Sequence, residues 1–244
     1  IILGTSSPDR NYPSDACSVQ AAIGAVNAVA FDISAACAGF IFAMNIVEGF
    51  FKAGIYKTAL IIGAETLSKV TDWSDRGTCV LFGDGAGAAV LKAEETGIID
   101  MMMGADGTKG DVLACTSRTV GNFLTGTKPE LGFMTMDGQE VFKFAVRKVP
   151  ESVMELLQRT GTKKEDIKYY VLHQANERII EAAARRLKEP MEKFPMTIGQ
   201  FGNTSTASIP LLLDDMIQKD MLKRGDKIIM SGFGAGMTWG AVLM

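Results

Sequence analysis

The chain has 244 residues, of which 47% are hydrophobic and 22% charged, and its net charge is −3. That length buries a sizeable core, as one large domain or two closely packed halves, while the slightly acidic balance provides no basic field to recruit nucleic acid. No apolar run reaches the roughly 18 residues that span a bilayer, and Cys17, Cys37, Cys79 and Cys115 have neither metal-ligand nor C-x-x-C spacing, so a reducing cytosol without disulfides or a metal is expected.

In chain order, Ile1 to Gly4 reads as a strand already under way, which implies a segment ahead of it. After a polar loop, Ser14 and Asp15 are caps for a short helix through Val19, Ala22 and Ile23. Val29-Ala30-Phe31 is a second strand-like run and leads into Asp32 to Phe40. Beyond it Phe40, Ile41, Met44, Val47, Phe50 and Phe51 recur at helical spacing as far as Gly54. Cys37 therefore lies at a strand-to-helix turn, where the unpaired N–H groups of the helix favour a nucleophilic thiolate. Small residues on both sides of it admit a substrate carbonyl. A thiol there is equally readable as a small buried hydrophobe.

Thr58 to Gly63 has the look of a strand buried on both faces, and the strand–helix–strand alternation indicates α/β architecture. Gly83-Asp84-Gly85-Ala86-Gly87 lacks G-x-G-x-x-G and runs into a strand, Ala88 to Lys92, so it reads as a tight hairpin-like turn rather than a phosphate cradle. Ile98 to Met103 is a further strand, and Gly104 to Lys128 a long loop of the kind that is functional or mobile. Asp137 to Glu140 opens a long amphipathic helix through Leu156, which Pro150 should kink or divide. Ile167 to Leu172 is a strand ending at His173, and Ala175 to Leu187 a helix. Gln200 to Ser205 opens a helix through Leu213 and Ile217, and Lys227 to Ser231 and Thr238 to Met244 are strands around Gly232 to Gly236. No repeat is readable residue by residue.

His173 is the only histidine, so imidazole chemistry has a single address. Open α/β sheets gather functional groups at the carboxyl ends of their strands, and Cys37, His173 and the Gly202-Asn203 turn each follow a strand-like or loop segment in that manner. Structural readings stand beside this one: His173 as a satisfied residue at a strand end, Asn203 as a helix cap or turn residue. Arg185, Arg186 and Lys188 complement the negative end of a helix dipole.

Several segments together resemble a known family: Asp32 to Phe40, Asp75 to Thr78, Phe82 to Gly87, Met136 to Lys143, His173 to Asn176, Gly202 to Ser205 and Gly232 to Gly240. In order and content they resemble β-ketoacyl-acyl-carrier-protein synthase III, the initiating condensing enzymes of bacterial fatty-acid synthesis. The resemblance implies a thiolase-like α/β fold, two related halves packed as an αβαβα layered core. Residues 1–100 would form the first half and carry the nucleophile, and residues 101–244 the second, carrying the histidine and asparagine. Roughly 75 further residues would complete the N-terminal part of the first half.

By the same resemblance Cys37 accepts an acyl group from acyl-coenzyme A, acetyl-coenzyme A being the expected donor. His173 and Asn203 hold the malonyl thioester carbonyl, and the backbone N–H groups of Cys37 and Ala235 form an oxyanion hole. Malonyl-carrier-protein then loses carbon dioxide, and its enolate attacks the acyl-cysteine to give β-ketoacyl-carrier-protein. Arg76, Asn176 and Arg178 are implied near coenzyme A. Tyr12, Phe142 and Phe233 are implied at the acyl pocket, Tyr12 by reaching across a homodimer, and Lys143, Arg178, Arg185 and Arg186 on the face that docks the acidic carrier. No cofactor is implied, acyl-coenzyme A being a substrate, and the setting is cytoplasmic. Ala235 stands where many relatives have glycine, which a backbone donor tolerates if φ is negative. Pro195 falls in a segment that is usually a strand and fits only an edge or a strand start. Competing readings are a cysteine hydrolase using Cys37 and His173 and a carrier-binding chain without catalysis, which acylation of Cys37 and consumption of malonyl groups distinguish, and a polyketide-type condensing enzyme, against which the resemblance at His173 to Asn176 and Met136 to Lys143 favours the fatty-acid initiator.

Overall fold

In the computed structural model, which describes residues 1–244, the chain first runs through β1 (Ile2–Gly4), α1 (Asp15–Ala22), β2 (Phe31–Ile33), a 3-10 turn at Ala36–Ala38, α2 (Gly39–Lys52), β3 (Thr58–Glu65) and β4 (Gly85–Lys92). There follow β5 (Asp100–Ala105), β6 (Leu113–Cys115), β7 (Met134–Met136), α3 (Gly138–Thr160), β8 (Ile167–Leu172) and α4 (Glu177–Leu187). The last part holds α5 (Ile198–Phe201), a second 3-10 turn at Ser205–Ala207, α6 (Ser208–Gln218), β9 (Lys227–Gly234) and β10 (Thr238–Leu243). One sheet has the order β2-β1-β3-β4 and another β5-β10-β9-β8. In the first, β1 runs parallel to β2 and β3 while β4 is antiparallel; in the second, β8 and β9 are parallel and β10 and β5 antiparallel.

Two helices fill the space between the sheets. Phe40, Ile41, Met44 and Val47 of α2, with Ile209, Leu212 and Met216 of α6, share one core with Ile2 and Ile61 of the first sheet and Val171, Ile228, Met230 and Val242 of the second. Helix α2 has Glu48 and Lys52 as its only charges, as a helix covered on two sides must. Helices α3 and α4 cover the outer face of the second sheet, with Val149, Val153, Leu156, Ile180 and Ala183 against Tyr170, Leu172, Ile229 and Ala241. Helix α1 lies on the first sheet through Ala16, against Leu3 and Ile62. The layers thus follow the order αβαβα, the thiolase-like arrangement. No helix is long and apolar enough to cross a membrane.

Several local expectations are revised. Strand β2 begins at Phe31 rather than Val29, because only Phe31 to Ile33 face the three residues of β1. Strand β5 likewise starts at Asp100, opposite Leu243. The glycine cluster is no hairpin turn: β4 pairs with β3 from Thr58↔Lys92 to Glu65↔Gly85, and residues 66–84 intervene. Gly85 and Gly87 are needed because α6 presses on that strand. A Cβ on Gly87 would lie 2.9 Å from Pro210 Cβ, and one on Gly85 would lie 3.0 Å from Leu211 Cδ1. The expected loop from Gly104 contains a 3-10 turn and β6, which pairs with β7, so the loop proper is 116–133. Pro195 lies in a connecting stretch outside any strand.

Helix ends differ too. Ser14 occupies the N-cap position of α1 without capping it, its hydroxyl turning instead to Cys17 Sγ at 3.2 Å. The cap comes from β2: the Asp32 carboxylate accepts from Asp15 N and Ala16 N, both at 2.8 Å. Pro150 does not divide α3. The carbonyl of Val146, which a proline at position 150 cannot reach with an N–H, accepts Arg186 Nη1 at 2.8 Å.

Candidate active site

The carboxyl ends of β1, β2, β3, β8 and β9 converge, and both central helices begin there. Each helix is entered in the same way. Ala36, with φ of 45°, opens the turn into α2, and Ser205, with φ of 49°, opens the turn into α6. A side chain in this left-handed region costs about 1–2 kcal/mol, so surrounding bonds must hold it. Thr238 Oγ1 donates to Ala35 O at 3.0 Å and Thr206 Oγ1 lies 2.8 Å from Ala36 O, which ties the Cys37 turn to the second half.

Cys37 is buried in this turn, with β9 close against it: a Cβ on Gly234 would lie 2.5 Å from Cys37 N. Burial pushes its thiol up to about 12, against a smaller opposing effect of the Ser205 hydroxyl. The expectation of a resting thiolate at the helix start is therefore revised. Desolvation outweighs the helix end, and the group is a protonated thiol at neutral pH. Ala235, the next residue after Gly234, has a negative φ, and its N–H has no partner within the chain.

His173 follows β8 directly, its N–H donating to Ser231 O at 2.8 Å. Its Nδ1 lies 2.7 Å from Ser208 Oγ, its ring meets Phe233 edge to face at 5.3 Å, and Nε2 is buried without a partner. Burial lowers its pKa to about 3, so the imidazole is neutral. Asn203 is held by a parallel bridge to the segment at Phe82, with Asn203 N donating to Leu81 O and Gly83 N to Asn203 O, both at 2.9 Å. This bridge stops the helix expected to run from Gln200 to Ile217. Asn203 Oδ1 accepts from Ser205 N at 2.9 Å, the turn role considered for it, and its amide N–H groups have no partner within the chain.

Cys37, His173 and Asn203 line one cavity of about 120 Å³, together with Phe82, Phe142, Asn176, Phe233 and Gly234, and no charged side chain lines it. Asn176 also caps α4, accepting from Arg178 N at 2.9 Å, while the Arg178 guanidinium lies 5.7 Å from the centre of the Phe142 ring. The remaining expected site residues are not gathered in. Arg76 is exposed on the loop after β3, and Tyr12 is 85% exposed. Lys143 pairs with Glu140 at 2.7 Å, Arg185 with Glu181 at 3.5 Å, and Arg186 is engaged with Val146 O.

Two groups were not anticipated. Glu65 is buried at the end of β3, its oxygens accepting from Ser6 Oγ at 2.8 Å, Ser7 Oγ at 2.6 Å and Ser205 Oγ at 2.9 Å, with Thr206 Oγ1 also 2.9 Å away. It ties the strand ends of the first sheet to the entrance of α6, directly beside the cysteine. An acidic residue closing an apolar strand was the available signal. The other is Ser208, which carried none.

A cysteine, a neutral imidazole and an amide thus face one uncharged cavity in a thiolase-like, layered α/β enzyme fold. Residues 31–107 match the family described as 3-oxoacyl-[acyl-carrier-protein (ACP)] synthase III, and residues 157–244 match its C-terminal part. The chain is 51% identical to beta-ketoacyl-[acyl-carrier-protein] synthase III of Clostridium acetobutylicum, covering 100% of this chain and 76% of that one. Among solved structures, 3-oxoacyl-[acyl-carrier-protein] synthase III from Aquifex aeolicus VF5 is 45% identical with a TM-score of 0.90, over 99% of this chain and 75% of that one. The synthase III of Thermus thermophilus is 41% identical with a TM-score of 0.92, over 100% and 75%. The chain belongs to the 3-oxoacyl-[acyl-carrier-protein] synthase III family.

Proposed function

We propose that this chain catalyses the initiating condensation of fatty-acid synthesis, joining acyl-coenzyme A, with acetyl-coenzyme A as donor, to malonyl-acyl-carrier-protein. Cys37 Sγ attacks the acyl thioester while the developing oxyanion is held by the N–H groups of Cys37 and Ala235. Coenzyme A leaves as the thiol, carrying away the proton that Cys37 loses. The malonyl group then releases carbon dioxide, and the electron pair of the broken carbon–carbon bond becomes an enolate. Its oxygen is held by His173 and Asn203, and its carbon attacks the acyl-cysteine and expels the Cys37 thiolate, which takes one proton from solvent to restore the thiol. Decarboxylation supplies the carbanion without a strong base, so the site needs donors rather than a base, and an imidazole that stays neutral suits that need.

The observation that carries this reading is the convergence of Cys37, an unpartnered His173 Nε2 and the unpartnered amide N–H groups of Asn203 on one uncharged cavity. Asn176, Arg178 and Arg76 would contact coenzyme A. Phe142 and Phe233 would bound the acyl group, and Tyr12 would complete the pocket of a second copy in a homodimer. Of the cations assigned to the carrier, Lys143, Arg178 and Arg185 are exposed, and Arg186 contributes through the part of its guanidinium not bound to Val146 O.

The test is intact mass before and after acetyl-coenzyme A. One acetyl group is expected on the wild type and none on Cys37→Ala. His173→Ala and Asn203→Ala are expected to acetylate while losing malonyl-dependent condensation. Folded wild-type protein that stays unmodified, or that releases acetate to water without consuming malonyl-carrier-protein, overturns the reading.

A further inference from the structure

We propose that Ser208 is a positioning residue of this site: its hydroxyl donates to Nδ1 of His173 and so fixes the neutral imidazole in the tautomer protonated at Nε2. The tautomer follows from hydrogen-bond accounting, and only its catalytic consequence rests on the function proposed above. Ser208 is the first residue of α6 and is buried. Its Oγ lies 2.7 Å from Nδ1 and accepts the N–H of Gln174 at 3.4 Å, and it has no third partner. A serine hydroxyl has one proton and two lone pairs, whereas a neutral imidazole has one N–H and one bare nitrogen.

Were the proton on Nδ1, Ser208 Oγ would accept twice and its own proton would be buried with nothing to receive it, a group that folded proteins rarely leave unsatisfied. With the hydroxyl donating to Nδ1, Ser208 gives one bond and accepts one. The imidazole proton is then on Nε2, which is buried without a partner at the cavity shared with Cys37 and Asn203. Both ends of the arrangement are held in place. The Gln174 side chain spans Leu172 O at 2.8 Å and Thr197 N at 2.9 Å, and Phe233 packs against the imidazole ring. A bare Nε2 would repel a thioester oxyanion, whereas an N–H donates to it.

Because His173 is the only histidine, ¹⁵N-labelled histidine gives one imidazole to observe. In the whole chain near neutral pH, long-range ¹⁵N–¹H correlation is expected to show a protonated Nε2 and a bare Nδ1. A protonated Nδ1, or an imidazolium, overturns the proposal. Ser208→Ala is expected to give mixed tautomers and to lower kcat for condensation by roughly tenfold to a hundredfold, the range seen when the partner of a metal-bound imidazole's second nitrogen is removed. Acetylation of Cys37 should change little, and Ser208→Thr, which keeps the hydroxyl, should restore kcat. Retention of a pure Nε2–H tautomer with wild-type kcat in Ser208→Ala also overturns it. Wild-type protein that shows Nε2–H but neither acetylates nor condenses defeats the functional reading and leaves the tautomer assignment standing.

Discussion

Cys37 and His173 are both kept neutral by burial, one with its pKa raised to about 12 and the other with its pKa lowered to about 3. Each shift is also a statement about stability. Between about 3 and the ordinary histidine value of 6.5, the unfolded chain binds a proton at residue 173 that the folded chain refuses. The stabilisation is therefore complete above 6.5 and is lost as pH falls below it. Above the ordinary thiol value of 9.0 the unfolded cysteine ionises while the folded one does not, so stability falls again on that side. At about 1.4 kcal/mol per unit, the histidine alone should remove about 2 kcal/mol between pH 7 and pH 5. Urea unfolding of the wild type and His173→Gln at those two values should show the decline smaller by that amount in the variant; parallel declines would mean that His173 is protonated in the fold. Cys37, His173 and Asn203 are legible in the sequence because each sits in a compact motif after a strand or loop. Ser208 and Glu65 are not, since the serine finds its imidazole across 35 positions and the glutamate finds Ser205 across 140.

The start of helix α3 is legible because its signals are local, an apolar stripe behind Asp137 as cap, whereas its unbroken course through Pro150 to the left-handed Gly161 is not. Where the reading of elements fails, the deciding contact is distant. Asn203 breaks a helical pattern because the chain at Leu81 to Gly83 binds it, and Gly85 and Gly87 lie within a strand because α6 lies on them. Arg186 belongs with these. As a basic residue in the last turn of α4 it is explained by the helix dipole alone, yet its guanidinium satisfies the carbonyl that Pro150 leaves open in a different helix. Arg186→Ala should therefore destabilise by about 1–2 kcal/mol, more than an exposed charge usually does. Pro150→Ala restores an N–H for Val146 O and should largely remove the effect of Arg186→Ala, giving a coupling of about 1 kcal/mol in a double-mutant cycle measured by denaturant unfolding. Additive losses would mean that the bond to Val146 contributes nothing.

At the scale of the whole molecule, the alternation of strands and helices indicates α/β architecture, and the resemblance implies the layered core of two related halves; how the halves match in detail is not readable residue by residue, because it resides in conformation. A 3-10 turn whose first residue is left-handed opens both central helices, although Ala36-Cys37-Ala38 and Ser205-Thr206-Ala207 share only their final alanine. The first turn presents Cys37, the proposed nucleophile, and the second turns Thr206 and Ser205 toward Glu65. What the single chain does not cover is the loop at 116–133. Asn122 N bonds to Thr127 O at 2.9 Å and Asn122 Oδ1 accepts Leu124 N at 2.9 Å, so the tip is a built turn. That turn holds Phe123 98% and Leu124 91% exposed, with Val120 at 89%. Large apolar side chains clustered on a defined turn are a contact surface in search of a partner, and the proposed homodimer supplies one, a second copy of this chain. Sedimentation velocity at micromolar concentration should then show a dimer, and Phe123→Asp with Leu124→Asp should weaken it by about thirtyfold or more, the loss of a contact worth roughly 2 kcal/mol. A wild-type monomer, or a variant that dimerises as tightly as the wild type, would show that this turn is not the interface.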